Sequence, residues 1–218
     1  LTLWAMQIGY TLPELESALK VGRPVDPQKH AGLTLKYNMD VDEQVYIGDE
    51  QLGLEGLFNS SKVGATNVNT SWATATPQQI VDDVNLILNN AWIASAFAVC
   101  PDKLLIPPVQ FGWLTTRVVS DAGNISILEY LKINNLCMSV NGKPLDIQPS
   151  KWAVKRGVGN TDRMMCYTQS ENRVRFPMVP LQRTPIEYRD LRQLTTYFGR
   201  LGAVEWVYPE TAYYADGL

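Results

Sequence analysis

A single histidine, His30, is all the imidazole in 218 residues. Proton shuttling near neutral pH, Ser-His-Asp or Cys-His nucleophiles and most zinc sites draw on imidazole. Such a site would have to pass through this one side chain, which sits in a stretch of helical character with no partner motif around it. Cysteine is scarce as well. Cys100, Cys137 and Cys166 are odd in number and widely spaced, which supports neither a disulfide framework nor a CxxC metal or redox pair. They are expected as buried, small apolar side chains in a reducing compartment, the cytoplasm. An excess of one charge is also missing. Lys and Arg number 19 and Asp and Glu 22, so the net charge is -3, without the basic balance of a nucleic-acid footprint. No long apolar run exists either. The longest, near 91–99, is far short of the roughly 20 residues that span a bilayer, and no signal peptide opens the chain. The first residue is Leu1 rather than methionine, which suggests a fragment with residues upstream.

What is present is ample apolar material, 45 % of the chain, enough for one large domain or two lobes. Helix starts are marked by three capping boxes: Thr11 to Glu14, Thr76 to Gln79 and Ser126 to Glu129. In each, a hydroxyl and a carboxylate or amide satisfy free backbone N–H groups of the first turn. The first helix should stop at Gly22 near Pro24, and Asp26-Pro27 should begin a second that runs to Ile47. At ~1.5 Å per residue this second helix is roughly 31 Å long. Ile80, Val84, Ile87, Leu88 and Ala91 recur at helical spacing and predict a core-packed amphipathic helix. A segment from Phe111 to Val118 has helical character, and the box at Ser126 opens a short helix ending at Asn134-Asn135. Strands are expected at Lys103 to Ile106, Leu136 to Val140, Leu145 to Ile147, Met164 to Tyr167 and Val174 to Phe176. The RGVGNTD stretch is expected to be flexible. Alternation in IEYRDLRQLTTYF and AVEWVY predicts long strands with one solvated face. The small, polar residues from Ser60 to Thr76 suggest a lobe boundary.

The glycines in YIGDEQLGLEGLFN invite a phosphate-cradling interpretation. Gly48, Gly53 and Gly56 form GxxxxGxxG after a helix, which is neither a Walker loop, with its lysine, nor a strand-to-helix Rossmann fingerprint. Asp49, Glu50 and Glu55 would repel a phosphate, so a helix cap and turns explain the glycines better. Asp82 and Asp83 are adjacent and point to different helix faces; with Glu187 and Asp190 they fit a solvated face better than an acid–base pair. Six tryptophans and ten tyrosines are spread from Trp4 to Tyr214, as core and interface anchors rather than a base-stacking platform. No catalytic, cofactor-binding or metal-ligating residue is assigned, and no cofactor is expected.

The order of elements carries more. The segment from LTLWAMQIGY to GLEGLFN, residues 1–59, resembles the strand and long spine helix of tailed-phage major capsid proteins of the Hong Kong 97 type, followed by that family's Gly-Asp and Gly-Leu-x-Asn turn. TPQQIVDDVNLILNNAW and CPDKLLIPPVQFGWL resemble the axial-domain helix, strand and loop, and GKPLDIQP a later strand of the same domain. RTPIEYRDLRQLTTYFGRLGAVEWVYPETAYYADG is similar to the return through the peripheral domain. The match covers nearly the whole chain and is closest to the phage-related branch, with encapsulins as distant kin. The family's N-terminal arm and extended loop are missing, so no residue here can be given the crosslinking role found in some relatives.

The resemblance implies an α+β capsid fold with a peripheral domain over 1–74 and 182–218 and an axial domain over 75–181. Loops Ser120 to Asn124 and Arg156 to Asp162 would meet at the capsomer centre. It implies a non-enzymatic subunit that self-assembles into hexamers and pentamers of an icosahedral phage or prophage head enclosing DNA, assembled in the bacterial cytoplasm and resident in the virion. Partners would be other copies, with scaffold, portal or decoration proteins, weak nonspecific DNA contact and no membrane. Basic residues of 151–163 are expected at subunit contacts rather than on DNA. An encapsulin-like nanocompartment shell and, in a different class, a small cytosolic cysteine-dependent hydrolase are the alternatives.

Overall fold

A computed structural model describes residues 1–21, 25–119 and 124–218. In chain order the elements are β1 (Thr2–Thr11), α1 (Leu12–Val21), α2 (Val25–Tyr46), β2 (Gly48–Asp49), β3 (Leu54–Glu55), β4 (Gly64–Asn67), α3 (Pro77–Ala94) and β5 (Lys103–Ile106). Three helices follow, α4 (Pro108–Thr116), α5 (Ile127–Ile133) and α6 (Leu136–Asn141), then β6 (Asp146–Pro149), β7 (Arg163–Tyr167) and β8 (Val174–Arg175). The chain closes with β9 (Met178–Arg183), β10 (Glu187–Arg189), β11 (Arg192–Leu201), β12 (Glu205–Trp206) and β13 (Ala212–Asp216). Two compact units result, one of Leu1–Gly56 with Phe176–Val204, the other of Leu57–Arg175 with Glu205–Leu218.

The first unit is built on β11, which pairs antiparallel with all ten residues of β1 on one edge and with β9 and β10 on the other. Alternation along β1 turns Trp4, Met6, Ile8 and Tyr10 inward, where Ile8 and Tyr10 are buried with Leu33 of α2. Trp4 meets the Tyr37 ring edge to face and donates its indole N–H to Asp40 at 2.9 Å. The Thr11 hydroxyl accepts the Glu14 N–H at 3.3 Å, as the first capping box predicts. Glu14 also pairs with Lys29 at 2.7 Å, and that hydrogen bond, with the Thr11 backbone N–H adding to it, holds the carboxyl below its ordinary range. The long helix covers the expected span to within two residues. The predicted stop at Gly22 and Pro24 lies outside the described residues.

The second unit holds a five-stranded sheet in the order β4-β13-β7-β5-β6, with parallel pairs at both ends and antiparallel pairs between. β7 is buried at every residue, the signature of a strand covered on both faces. α3 lays Ile80, Val84, Ile87, Leu88 and Ala91 into that core, its start closed by the complete Thr76–Gln79 box. Ser126 caps α5 as predicted.

Three expectations are corrected. Leu136 to Val140 is not a strand but α6: the Asn135 side chain accepts the Met138 N–H at 2.8 Å and Gly142 ends the turn in the left-handed region at φ 66°. Local capping outweighs β-propensity in so short a run. Of AVEWVY only Glu205–Trp206 is strand. Cys100 and Cys137 are not free thiols but a disulfide, Cα–Cα 5.5 Å apart across 37 residues; the sheet crossover brings them together, which spacing alone does not reveal. Cys166 is free and buried as expected.

Residues 60–76 fall within the second unit, where β4 pairs with β13 and Trp72 is fully buried. β13 in turn binds the C-terminus to β7, so residues 205–218 belong to the second unit.

Candidate assembly surfaces

The residues that could have carried chemistry have structural roles. Gly48 caps α2 at φ +81°, and a Cβ there would lie 2.1 Å from the Leu54 carbonyl oxygen. Gly56 is pressed against Ile47 in the same way, and the Asp49 carboxylate accepts the N–H groups of Gln51 and Leu52. A hairpin turn therefore occupies the space where a phosphate loop would open. His30 stacks edge-on against Tyr197 at 5.4 Å. Asp83 accepts the Trp72 indole N–H at 3.0 Å, and burial raises its carboxyl above the ordinary range. Asp82 binds Gln78 instead, so the two neighbours do not act together. Glu187 and Asp190 lie exposed in the β10–β11 hairpin. Burial pushes the Cys166 thiol far up, and Cys100 and Cys137 are bonded to each other, so none of the three offers a thiolate nucleophile. Among the described residues no cluster of His, Cys, Asp or Glu could hold a metal, and no helix is long and apolar enough to cross a membrane.

Two turns present apolar side chains outward. The β10–β11 hairpin turns at Asp190 and Leu191, both at positive φ (46° and 60°), while Tyr188 and Leu191 are 72 % and 74 % exposed. Left-handed backbone disfavours a leucine, and no core contact explains one at a hairpin tip. After α3 the chain repeats the device. Ala96 and Phe97 take φ of 53° and 63°, Phe97 packs edge-on against Trp92, and Ile93 and Phe97 are exposed.

The 156–162 loop, expected to be flexible, is clamped together with Lys155 before it. Asp162 accepts the Lys155 N–H at 2.9 Å and the Gln110 amide at 2.8 Å, and Asp216 accepts the Val158 N–H at 3.1 Å. Asp216 simultaneously binds Arg163 through two contacts of 2.6 and 2.8 Å, while Arg163 donates to the Phe58 carbonyl and lies over the Tyr214 ring. Arg163 is thus an internal strut rather than an interface cation, whereas Lys155, Arg156 and Val158 are displayed to solvent. These anchors were missed from the sequence because Asp162, Arg163 and Asp216 belong to no local motif. The other loop expected at the same place lies, from Ser120 to Gly123, outside the described residues.

A long helix laid on a sheet and a second unit with its own five-stranded sheet make up the subunit, with exposed apolar side chains at two left-handed turns. The chain belongs to the major capsid protein family, whose model matches residues 1–218, and it has the Hong Kong 97-type fold. The capsid of Myoviridae phage XM1 is similar over 100 % of this chain and 73 % of that one, with a TM-score of 0.82 and 16 % identity. The capsid of an empty GTA particle gives 99 %, 73 %, 0.63 and 11 % for the same measures. The SrpI encapsulin complex of Synechococcus elongatus PCC 7942 is weaker in TM-score, 0.54, at 13 % identity over 99 % and 73 %. No curated protein matches by sequence.

Proposed function

We propose that this capsid subunit assembles with copies of itself into hexamers and pentamers that close an icosahedral phage or prophage head around DNA. The supporting observation is the family match along all 218 residues. In this account the first unit is the peripheral domain, with α2 as its spine, and the second is the axial domain. Its clamped 155–162 loop sits at the capsomer centre, where a fixed conformation lowers the entropy lost on association. The exposed apolar turns at Asp190-Leu191 and Ala96-Phe97 become contacts between copies. Lys155 and Arg156 serve those contacts, and DNA is met only weakly and without sequence preference, consistent with a net charge of -3. Assembly takes place in the host cytoplasm, with scaffold, portal or decoration proteins as further partners, and the subunit performs no turnover.

The test is light scattering and negative-stain electron microscopy on the open reading frame that contains this chain, and on the 218-residue chain itself. Uniform capsomers or shells holding nuclease-resistant DNA are expected. A longer protein that stays monomeric at every concentration overturns the proposal. Empty shells that load a cargo protein instead of DNA turn it into a nanocompartment.

A further inference from the structure

Beside α6 a cavity of about 350 Å³ opens between Pro101, Lys143 and Thr168, and its wall includes both sulfur-bearing residues of the Cys100–Cys137 disulfide. Its volume falls in the ~300–1,000 Å³ range of small-molecule sites. Two cations flank it, Lys143 and Arg173. Neither carries an ion pair among the described residues: Arg173 lies over the Tyr208 ring at 5.8 Å, and Lys143 is exposed at the rim. The one acid in the wall, Asp102, is engaged by the Gln169 N–H at 2.8 Å. Thr168 is also in the wall, and its hydroxyl is buried without a hydrogen-bond partner, which a protein interior ordinarily avoids. Both residues of a reducible bond and two cations without an ion pair among the described residues therefore line one cavity inside the second unit, with the orphaned Thr168 hydroxyl behind its wall.

We propose that this cavity binds a small anionic thiol or disulfide of the glutathione class and is the port through which the Cys100–Cys137 bond opens and closes. Lys143 and Arg173 hold the carboxylates of the entrant. The thiolate attacks one cysteine sulfur, the protein S–S bond breaks and a mixed disulfide forms. The displaced cysteine thiolate takes a proton from water. A second thiol then attacks the mixed disulfide, releasing the oxidised dimer and the second cysteine as a thiol, so two thiols supply the two electrons. The same steps in reverse, with the oxidised dimer as oxidant, close the bond. Once it is open, α6 keeps its Asn135 cap, the Leu136 N–H bond to Asn85 at 3.4 Å and the Asn141 amide bond to the Cys100 carbonyl at 3.1 Å, and loses the one covalent tie. Thiol occupancy thus sets how firmly α6 is tied to the end of α3. In a shell this makes the subunit softer inside a reducing cell and stiffer outside it. The thiol chemistry itself does not depend on assembly.

The test uses the whole chain purified without reductant. Intact mass first shows two hydrogens fewer than the all-thiol form, and reduction is then followed by quenched maleimide gel shift. At equal thiolate concentration, anionic glutathione is expected to open the bond about tenfold faster than cationic cysteamine, and the joint substitution K143E and R173E to reverse that order. S-methylglutathione, which keeps the carboxylates but has no thiol, should slow the reaction in the wild-type protein. If the double variant does not fold, K143Q at the exposed rim residue should still lower the glutathione rate about threefold, while leaving the cysteamine rate no slower. Equal rates for both thiols, no protection by S-methylglutathione, or an intact mass with all three thiols free would each overturn the proposal.

Discussion

Arg163 and Asp216 place opposite charges where side-chain exposure is 11 % and 2 %, and the Phe58 carbonyl and the Val158 N–H add further hydrogen bonds to the pair. Two charges in that environment are tolerable only together, because removing one leaves the other buried and unpaired. Asp216→Asn is therefore expected to lower the unfolding free energy by about 3–5 kcal/mol in urea titration, with a loss below about 1 kcal/mol contradicting this account. Asp83 behaves oppositely. Burial raises its folded-state pKa above the unfolded value, although the Trp72 N–H acts against the shift. Its favourable contribution is thus complete below its unfolded value and is lost as pH rises through the higher folded one. Asp83→Asn, which keeps an oxygen for Trp72, should match wild type in strong acid and exceed it near neutrality. Melting temperature against pH for the two proteins checks this, and a constant difference at all pH values would refute it.

Short turns decide more at the scale of elements than intrinsic propensity does. α6 exists because Asn135 and Gly142 close its two ends, despite residues that read as a strand. The β10–β11 hairpin has the opposite character, since its turn places Leu191 at φ 60°, a conformation that suits glycine. Leu191→Gly is expected to stabilise the subunit by about 1 kcal/mol. The same change removes the most exposed apolar side chain of the tip, so assembly should weaken while the melting temperature rises. Differential scanning calorimetry and light scattering on one preparation separate the effects; a lower melting temperature would show that the turn is not strained. The capping boxes were legible because capping is local. The clamp on residues 155–162 was not, as its carboxylates reach across up to 58 residues.

The two units of the molecule are joined in a way that can be cut. Within the second unit, Arg175 pairs directly with Glu205 across the β8–β12 ladder, the two also forming an ion pair at 2.7 Å. A two-residue Asn-Gly turn can therefore replace 176–204 without disturbing the strands on either side. The second unit retains its own core from Trp72 to Ala215. A protein of residues 57–175 and 205–218 joined by that turn is expected to unfold cooperatively, with the near-ultraviolet circular dichroism of a buried Trp72. A featureless thermal profile would mean that the second unit depends on the first.

The sequence by itself determined the long helices α2 and α3 and the short α5, though not α6, since their caps and apolar stripes act within one or two turns. It determined the family too, because the order of elements survives where identity has fallen to 16 % or less in the structural relatives described. It also removed most imidazole and phosphate-loop chemistry, which needs residues the chain does not contain. Only the tertiary structure decided that Cys100 meets Cys137, that Arg163 is buried against Asp216 and that β4 joins β13. These pairs lie 37, 53 and about 150 residues apart. No local pattern encodes such meetings, because they are set by how the sheet stacks its strands and not by what stands beside each residue in the chain.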